Sequence, residues 1–102
     1  MLRVVLCNCS PDESESLARA LVEKKLAACV NILRGVKSFY EWDGELCEDD
    51  EHTLLIKTTS ERVGELKSTL SSLHSYDVPE IIALETTDVL ESYGQWVRDQ
   101  TS

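Results

Sequence analysis

Cys7 and Cys9, separated by one residue, are the first side chains in the chain equipped for chemistry, because paired thiolates are soft ligands suited to Cu(I) or zinc. Their spacing puts both on one face of an extended strand, so further ligands would have to come from elsewhere or from another subunit. The plainer reading is two small core residues, since a metal-carrying fold of this size is expected to present Cys-x-x-Cys in an exposed loop. Glu48, Asp49, Asp50 and Glu51 could draw hard cations, but the run lacks the internal Gly and terminal Glu of an EF-hand loop, and a solvated hairpin accounts for it. His74 and Tyr76, with Glu80 behind them, stand in an irregular segment where polar side chains bind ligands or close subunit contacts. A structural hydrogen-bonding role and a site role are both open for them. Phe39, Tyr40, Trp42 and Trp96 are the main aromatic reserve, suited to packing between subunits, with a ligand slot as the other use.

Catalytic patterns are missing. Lys57-Thr58-Thr59 has no Gly-rich loop before it to cradle phosphate, and no Gly-x-Ser-x-Gly elbow or two-His metal motif occurs. Neither His52 nor His74 sits in a recognisable nucleophile motif. The expectation is a binding or scaffold protein and not an enzyme.

The elements that must position these residues are legible from periodicity. Leu2 to Cys9 is a short, nearly continuous apolar run and predicts a strand. Ser10-Pro11-Asp12-Glu13 predicts a helix start, with Ser10 as cap, Pro11 in the first helical position and Glu13 reaching back. Ala18, Leu21, Val22, Leu26 and Cys29 then recur as an apolar helix face. Val30 to Leu33 and Val36 to Trp42 read as strand, Asp43-Gly44 as a turn, and His52 to Thr59 as the returning strand, with the acidic stretch Glu45 to Glu51 near the tip. Ser60 predicts the cap of a second helix striped by Val63, Leu66, Leu70 and Leu73. Glu80 to Thr87 is a fourth strand, and Asp88 with Glu91 starts a last helix carrying Val89, Tyr93, Trp96 and Val97.

This order predicts an α+β, ferredoxin-like βαββαβ domain: a four-stranded antiparallel sheet with a long hairpin between the second and third strands, both crossover helices on one face, and a C-terminal helix. The 102 residues suffice for one core, so a single domain over 1–102 is expected. The first strand is apolar on both faces, Leu2, Val4 and Leu6 against Val5, Cys7 and Cys9, and the fourth likewise. Helices on one side only would leave an apolar face wet, and self-association is the simplest remedy.

A formal charge of −9 repels nucleic acid and anionic membrane surfaces, which excludes both as expected partners; it makes cations or basic surfaces more plausible ones, with plain solubility as the first explanation of the acidic surplus. Four cysteines are too few for a disulfide scaffold, and no apolar run approaches a membrane span or a leader's apolar core, so a cytoplasmic protein is expected.

The motifs Ser10-Pro11-Asp12-Glu13, Leu26-Ala27-Ala28-Cys29-Val30-Asn31-Ile32, Ser38-Phe39-Tyr40-Glu41-Trp42-Asp43-Gly44 and Val78-Pro79-Glu80-Ile81 occur in this order over nearly the whole chain. In them the sequence resembles the CutA divalent-cation tolerance family. The resemblance implies a homotrimer related in architecture to the PII signalling proteins, with no reaction attributed to it. It also implies a copper or other divalent-metal site whose three ligand positions fall here on Asn8, Glu51 and Leu73, only one of them able to ligate. Glu51, His74, Cys7 and Cys9 are what remains as metal candidates. Ser75 replaces the Pro usual in the family, and Ser92-Tyr93-Gly94-Gln95-Trp96 follows its C-terminal pattern only loosely. The alternative is a PII-like sensor holding a small molecule in clefts between subunits. An acylphosphatase-like enzyme on the same topology would need a basic cradle after the first strand, where Ser10-Pro11-Asp12-Glu13 is acidic.

Overall fold

The structure, a computed structural model, describes residues 1–102. The elements run β1 (Leu2–Cys9), α1 (Ser14–Glu23), β2 (Cys29–Trp42), β3 (Glu45–Thr59), a 3-10 turn (Ser60–Arg62), α2 (Val63–Leu73), β4 (Ile81–Glu85) and α3 (Glu91–Gln100). The strand order is β2-β3-β1-β4 with every neighbouring pair antiparallel, which is the ferredoxin-like arrangement expected.

Alternation along the strands sorts the sheet into two faces. Val5, Cys7 and Cys9 of β1 and Leu54 and Ile56 of β3 are fully buried against Leu17 and Leu21 of α1 and Leu66 and Leu70 of α2. Each Val, Leu or Ile among them stabilises the fold by about 1.5–3 kcal/mol relative to exposure, so this layer holds the domain together. On the other face Val4, Leu6 and Leu55 are only half-buried, and Leu33, Ile82 and Leu84 are exposed. No helix covers them. A smaller cluster of Leu2, Ala28 and Val97, with Val89 against it, fixes α3 at the far end of the sheet.

Several boundaries differ from the sequence reading, each for a local reason. Only half of the expected Ser10–Glu13 exchange forms: Ser10 N donates to Glu13 Oε2 at 3.4 Å, whereas the Ser10 hydroxyl accepts from Asp12 N at 3.3 Å and Glu13 N donates to the Ser10 carbonyl at 3.1 Å. These contacts close a turn, and α1 starts only at Ser14. With Ser14, Leu17 and Leu21 setting the buried stripe, Val22 lies about 100° round the helix and is exposed. α1 then stops because Lys25 takes φ 59°, so Leu26 belongs to the following loop and Cys29 to β2. Ser60 caps nothing: its hydroxyl meets Glu61 and its backbone N–H donates to the Met1 carbonyl at 2.8 Å, so a 3-10 turn precedes α2. Leu73 ends α2 exposed, and α3 begins at Glu91, leaving Asp88 outside it.

The hairpin is longer than expected, because β3 takes in the acidic run. Asp43 and Gly44, at φ 53° and 79°, make the two-residue turn whose twist matches the strands. Its register carries Val36 opposite Glu51 and Ser38 opposite Asp49. An irregularity between Leu33 and Val36, with Gly35 at φ 73°, then shifts the pairing before the hairpin joins the sheet. No helix is long and apolar enough to cross a membrane.

Candidate functional site

Glu51 stands where the hairpin leaves the body of the sheet, and the strand pairing brings Ser38 close to it. Ser38 Oγ donates to Glu51 Oε1 at 2.5 Å, and the phenol of Tyr76 donates to Oε2 at 2.8 Å, so each carboxylate oxygen holds one hydroxyl donor. The residue is almost fully buried, at 7% exposure. Burial, followed by the bond to Glu51, raises the Tyr76 phenol well above its ordinary range and keeps it a donor.

Tyr76 can reach Glu51 because the segment after α2 is tied down. Ser75 donates to Glu13 through its backbone N–H (3.2 Å to Oε1) and its hydroxyl (2.6 Å to Oε2). The same Glu13 that closes the turn after β1 therefore anchors this loop. Tyr76 N–H donates to His74 Nδ1 at 3.1 Å, which makes Nδ1 an acceptor and places the ring proton on Nε2, 2.9 Å from the Asn8 carbonyl. The His74 and Tyr76 rings lie 4.7 Å apart, and His74 is buried. Asn8 is occupied as well: Oδ1 accepts from Thr53 Oγ1 at 2.7 Å, and Nδ2 donates to Glu80 Oε1 at 3.4 Å.

Beside this network lies a cavity of about 650 Å³. Asn8, Ser38, Glu51 and Tyr76 line it, together with Phe39, Tyr40 and Trp42 of β2 and the acidic side chains Asp49, Asp77 and Glu80. The Tyr40 phenol donates to Asp49, and that bond is the main reason it is pushed up to about 12.

The metal candidates are scattered by the fold. Cys7 and Cys9 share a strand face as expected, but it is the buried, helix-covered face, and Asn8 lies on the other. Burial first, and then Cys9 and the carboxylates of Glu80, Glu13 and Glu51, push Cys7 up to about 12. Burial, then Glu13 and Glu51, pushes Cys9 up to about 11, so a soft metal would have to displace two tightly held thiol protons inside the core. His74 has both ring nitrogens engaged, Leu73 is apolar and does not line the cavity, and no group of three His, Cys, Asp or Glu is placed to hold a metal ion. The donor set present does not fit copper. Ser14 and His52, far apart in sequence, meet at 2.8 Å (Oγ to Nδ1), but Ser14 is buried, out of reach of a substrate.

Sequence reasoning missed Ser38 and the Glu13 anchor. The two-residue turn signal at Asp43-Gly44 carried the register that brings Ser38 near Glu51; nothing local to Glu13 announced its contact with Ser75. If the buried carboxylate depends on its donors, Tyr76→Phe should lower stability by about 1–3 kcal/mol, read as a shift in urea midpoint. An unchanged midpoint would mean that water replaces the phenol.

The molecule is thus a ferredoxin-like α+β domain with a long hairpin and a buried carboxylate beside an open cavity. The family model described as CutA1 divalent ion tolerance protein matches residues 3–100, and the chain belongs to that family. It is 45% identical to the divalent-cation tolerance protein CutA of Thermus thermophilus over 102 residues, 99% of each sequence. A solved structure of the Thermus thermophilus protein superposes with a TM-score of 0.95 over all of both chains. Protein CutA of Homo sapiens is 46% identical over 88 residues, 86% of this chain and 49% of the human one. A solved structure described as the periplasmic divalent cation tolerance protein CutA of Archaeoglobus fulgidus, 34% identical and covered completely in both directions, gives a TM-score of 0.96.

Proposed function

We propose that this protein is a homotrimeric, non-catalytic binding protein of the cytoplasm, and that its part in divalent-cation tolerance is exercised through the cavity beside Glu51. The observation that carries the reading is the uncovered sheet face, where Val4, Leu6 and Leu55 adjoin Leu33, Ile82 and Leu84. Copies of the chain closing on that face would remove apolar surface from water at about 25 cal/mol per Å². The relatives are named for divalent-cation tolerance, which supports a part in that tolerance without requiring that this chain hold the metal. Buried, protonated thiols and an inaccessible Ser14 favour binding over catalysis, and four unpaired cysteines favour a reducing compartment. Because the donor set does not fit copper, no residue here supplies copper chemistry.

The test is to titrate reduced, tag-free protein with copper and zinc against a competing chelator, with the oligomer mass measured by light scattering on the same sample. The expected result is three times the chain mass of 11.5 kDa, with metal surrendered to the chelator. A monomer at micromolar concentration would overturn the trimer. Whole-number copper binding that resists the chelator and is lost on Cys9→Ser or His74→Ala would overturn the misfit.

A further inference from the structure

The cavity beside Glu51 carries negative charge that the chain does not neutralise. Asp49, Glu51, Asp77 and Glu80 line it and no Lys, Arg or His does. The chain's ion pairs, Arg34–Glu15, Lys37–Asp50, Arg62–Glu65 and the His74–Glu13 approach, include none of these four. Glu51 is the decisive member. Its buried carboxylate meets only the neutral hydroxyls of Ser38 and Tyr76, and each oxygen keeps a further acceptor direction. Holding a carboxylate out of water is costly, and two neutral hydroxyl donors offset that cost less fully than a cation beside it.

The wall of the cavity is aromatic. Trp42 is 52% exposed, and Phe39 and Tyr40 next to it are exposed as well, an unusual display for large rings in a single chain. Aromatic faces attract weakly hydrated cations, guanidinium and substituted ammonium groups above all. A volume of about 650 Å³ lies within the range of roughly 300–1,000 Å³ typical of small-molecule sites, far more than one metal ion fills. Four carboxylates repel nucleotides and organic anions.

We propose that this cavity binds a small organic cation, an amine or guanidinium compound, whose charged head pairs with Glu51 while its stem lies against Trp42 and Tyr40. The inference rests on the reading of this cavity as the binding centre and names its ligand class. Carboxylates supply the charge recognition, and the rings select an organic body over a hydrated metal ion, which has no apolar surface to place on them.

Agmatine, which carries both groups, and tetramethylammonium are the probes, titrated by calorimetry into the intact protein of known oligomer mass at physiological ionic strength. Magnesium at matched ionic strength and a neutral alcohol of similar size are the controls. One agmatine per chain with sub-millimolar affinity is expected, at least tenfold tighter than either control. Glu51→Gln and Trp42→Leu should each weaken it at least tenfold, and Trp42→Phe should retain most of it. Asp49→Asn, an exposed site that does not endanger folding, should weaken it severalfold. No saturable binding, binding matched by magnesium, or affinity indifferent to Glu51→Gln, Asp49→Asn and Trp42→Leu would overturn the proposal. If the trimer is intact and agmatine fails, the trimeric reading stands and the ligand class falls. A monomer that binds agmatine would sustain the ligand class and overturn the trimer.

Discussion

Replacing Ile82 by Asp is expected to turn the proposed trimer into monomers while each chain stays folded. Ile82 lies on the uncovered face of β4 opposite Leu6 of β1 and is 47% exposed in a single chain, so a carboxylate there costs the isolated fold little. In an assembly closed on that face, the same carboxylate is taken out of water among Leu6, Leu55 and Leu84 with no apolar gain in return. At about 4 kcal/mol per contact, the affinity falls roughly a thousandfold, and three equivalent contacts fail together. Light scattering should read the mass of one chain, with an unchanged far-ultraviolet circular dichroism spectrum. A variant that remains trimeric at micromolar concentration would move the interface elsewhere, and the exposed Leu90, Tyr93 and Trp96 around α3 would be the next surface to test.

The strand order and both crossover helices were legible because the signals for them are short-range. An apolar run, a period of three to four residues or an Asp-Gly turn is decided by neighbours in sequence. The two-faced apolarity of β1 was legible for the same reason, and so was the placement of Cys7 and Cys9 on one face. Which of those faces the helices would cover was not. That depends on the register between β1 and β3, where Cys7 meets Leu54 and Val5 meets Ile56. Helix boundaries failed where a long-range contact competes with a local cap. Glu13 shares its carboxylate between Ser10 and Ser75, and the Ser60 amide is claimed by the Met1 carbonyl. The candidate site failed in the same way. Glu51 was singled out as a metal candidate beside His74, Cys7 and Cys9, but its hydrogen-bond partners Ser38 and Tyr76 lie 13 and 25 residues away, and His74 is consumed by the backbone groups of Asn8 and Tyr76.

Alkaline pH is expected to destabilise the fold steeply, and Cys7 and Cys9 are the main cause. Below their ordinary value of 9.0, both folded and unfolded chains carry the thiol protons, and these two groups add no pH dependence. Above it the unfolded chain releases both protons while the folded chain, with Cys7 held to about 12 and Cys9 to about 11, keeps them. Each thiol then lowers the unfolding free energy by about 1.4 kcal/mol per pH unit until the pH passes its folded value. Across two units the pair removes a few kcal/mol, a substantial part of the stability of a small domain. Tyr40 and Tyr76, raised from 10.0, act in the same direction at higher pH. Urea midpoints between pH 8 and 10.5, at fixed protein concentration, read the effect. The Cys7→Ala/Cys9→Ala double variant should start less stable, because two core side chains are truncated, and lose less with rising pH. Equal slopes would mean that the thiols ionise inside the fold, and Cys7 and Cys9 would then regain the ligand chemistry that burial otherwise denies them.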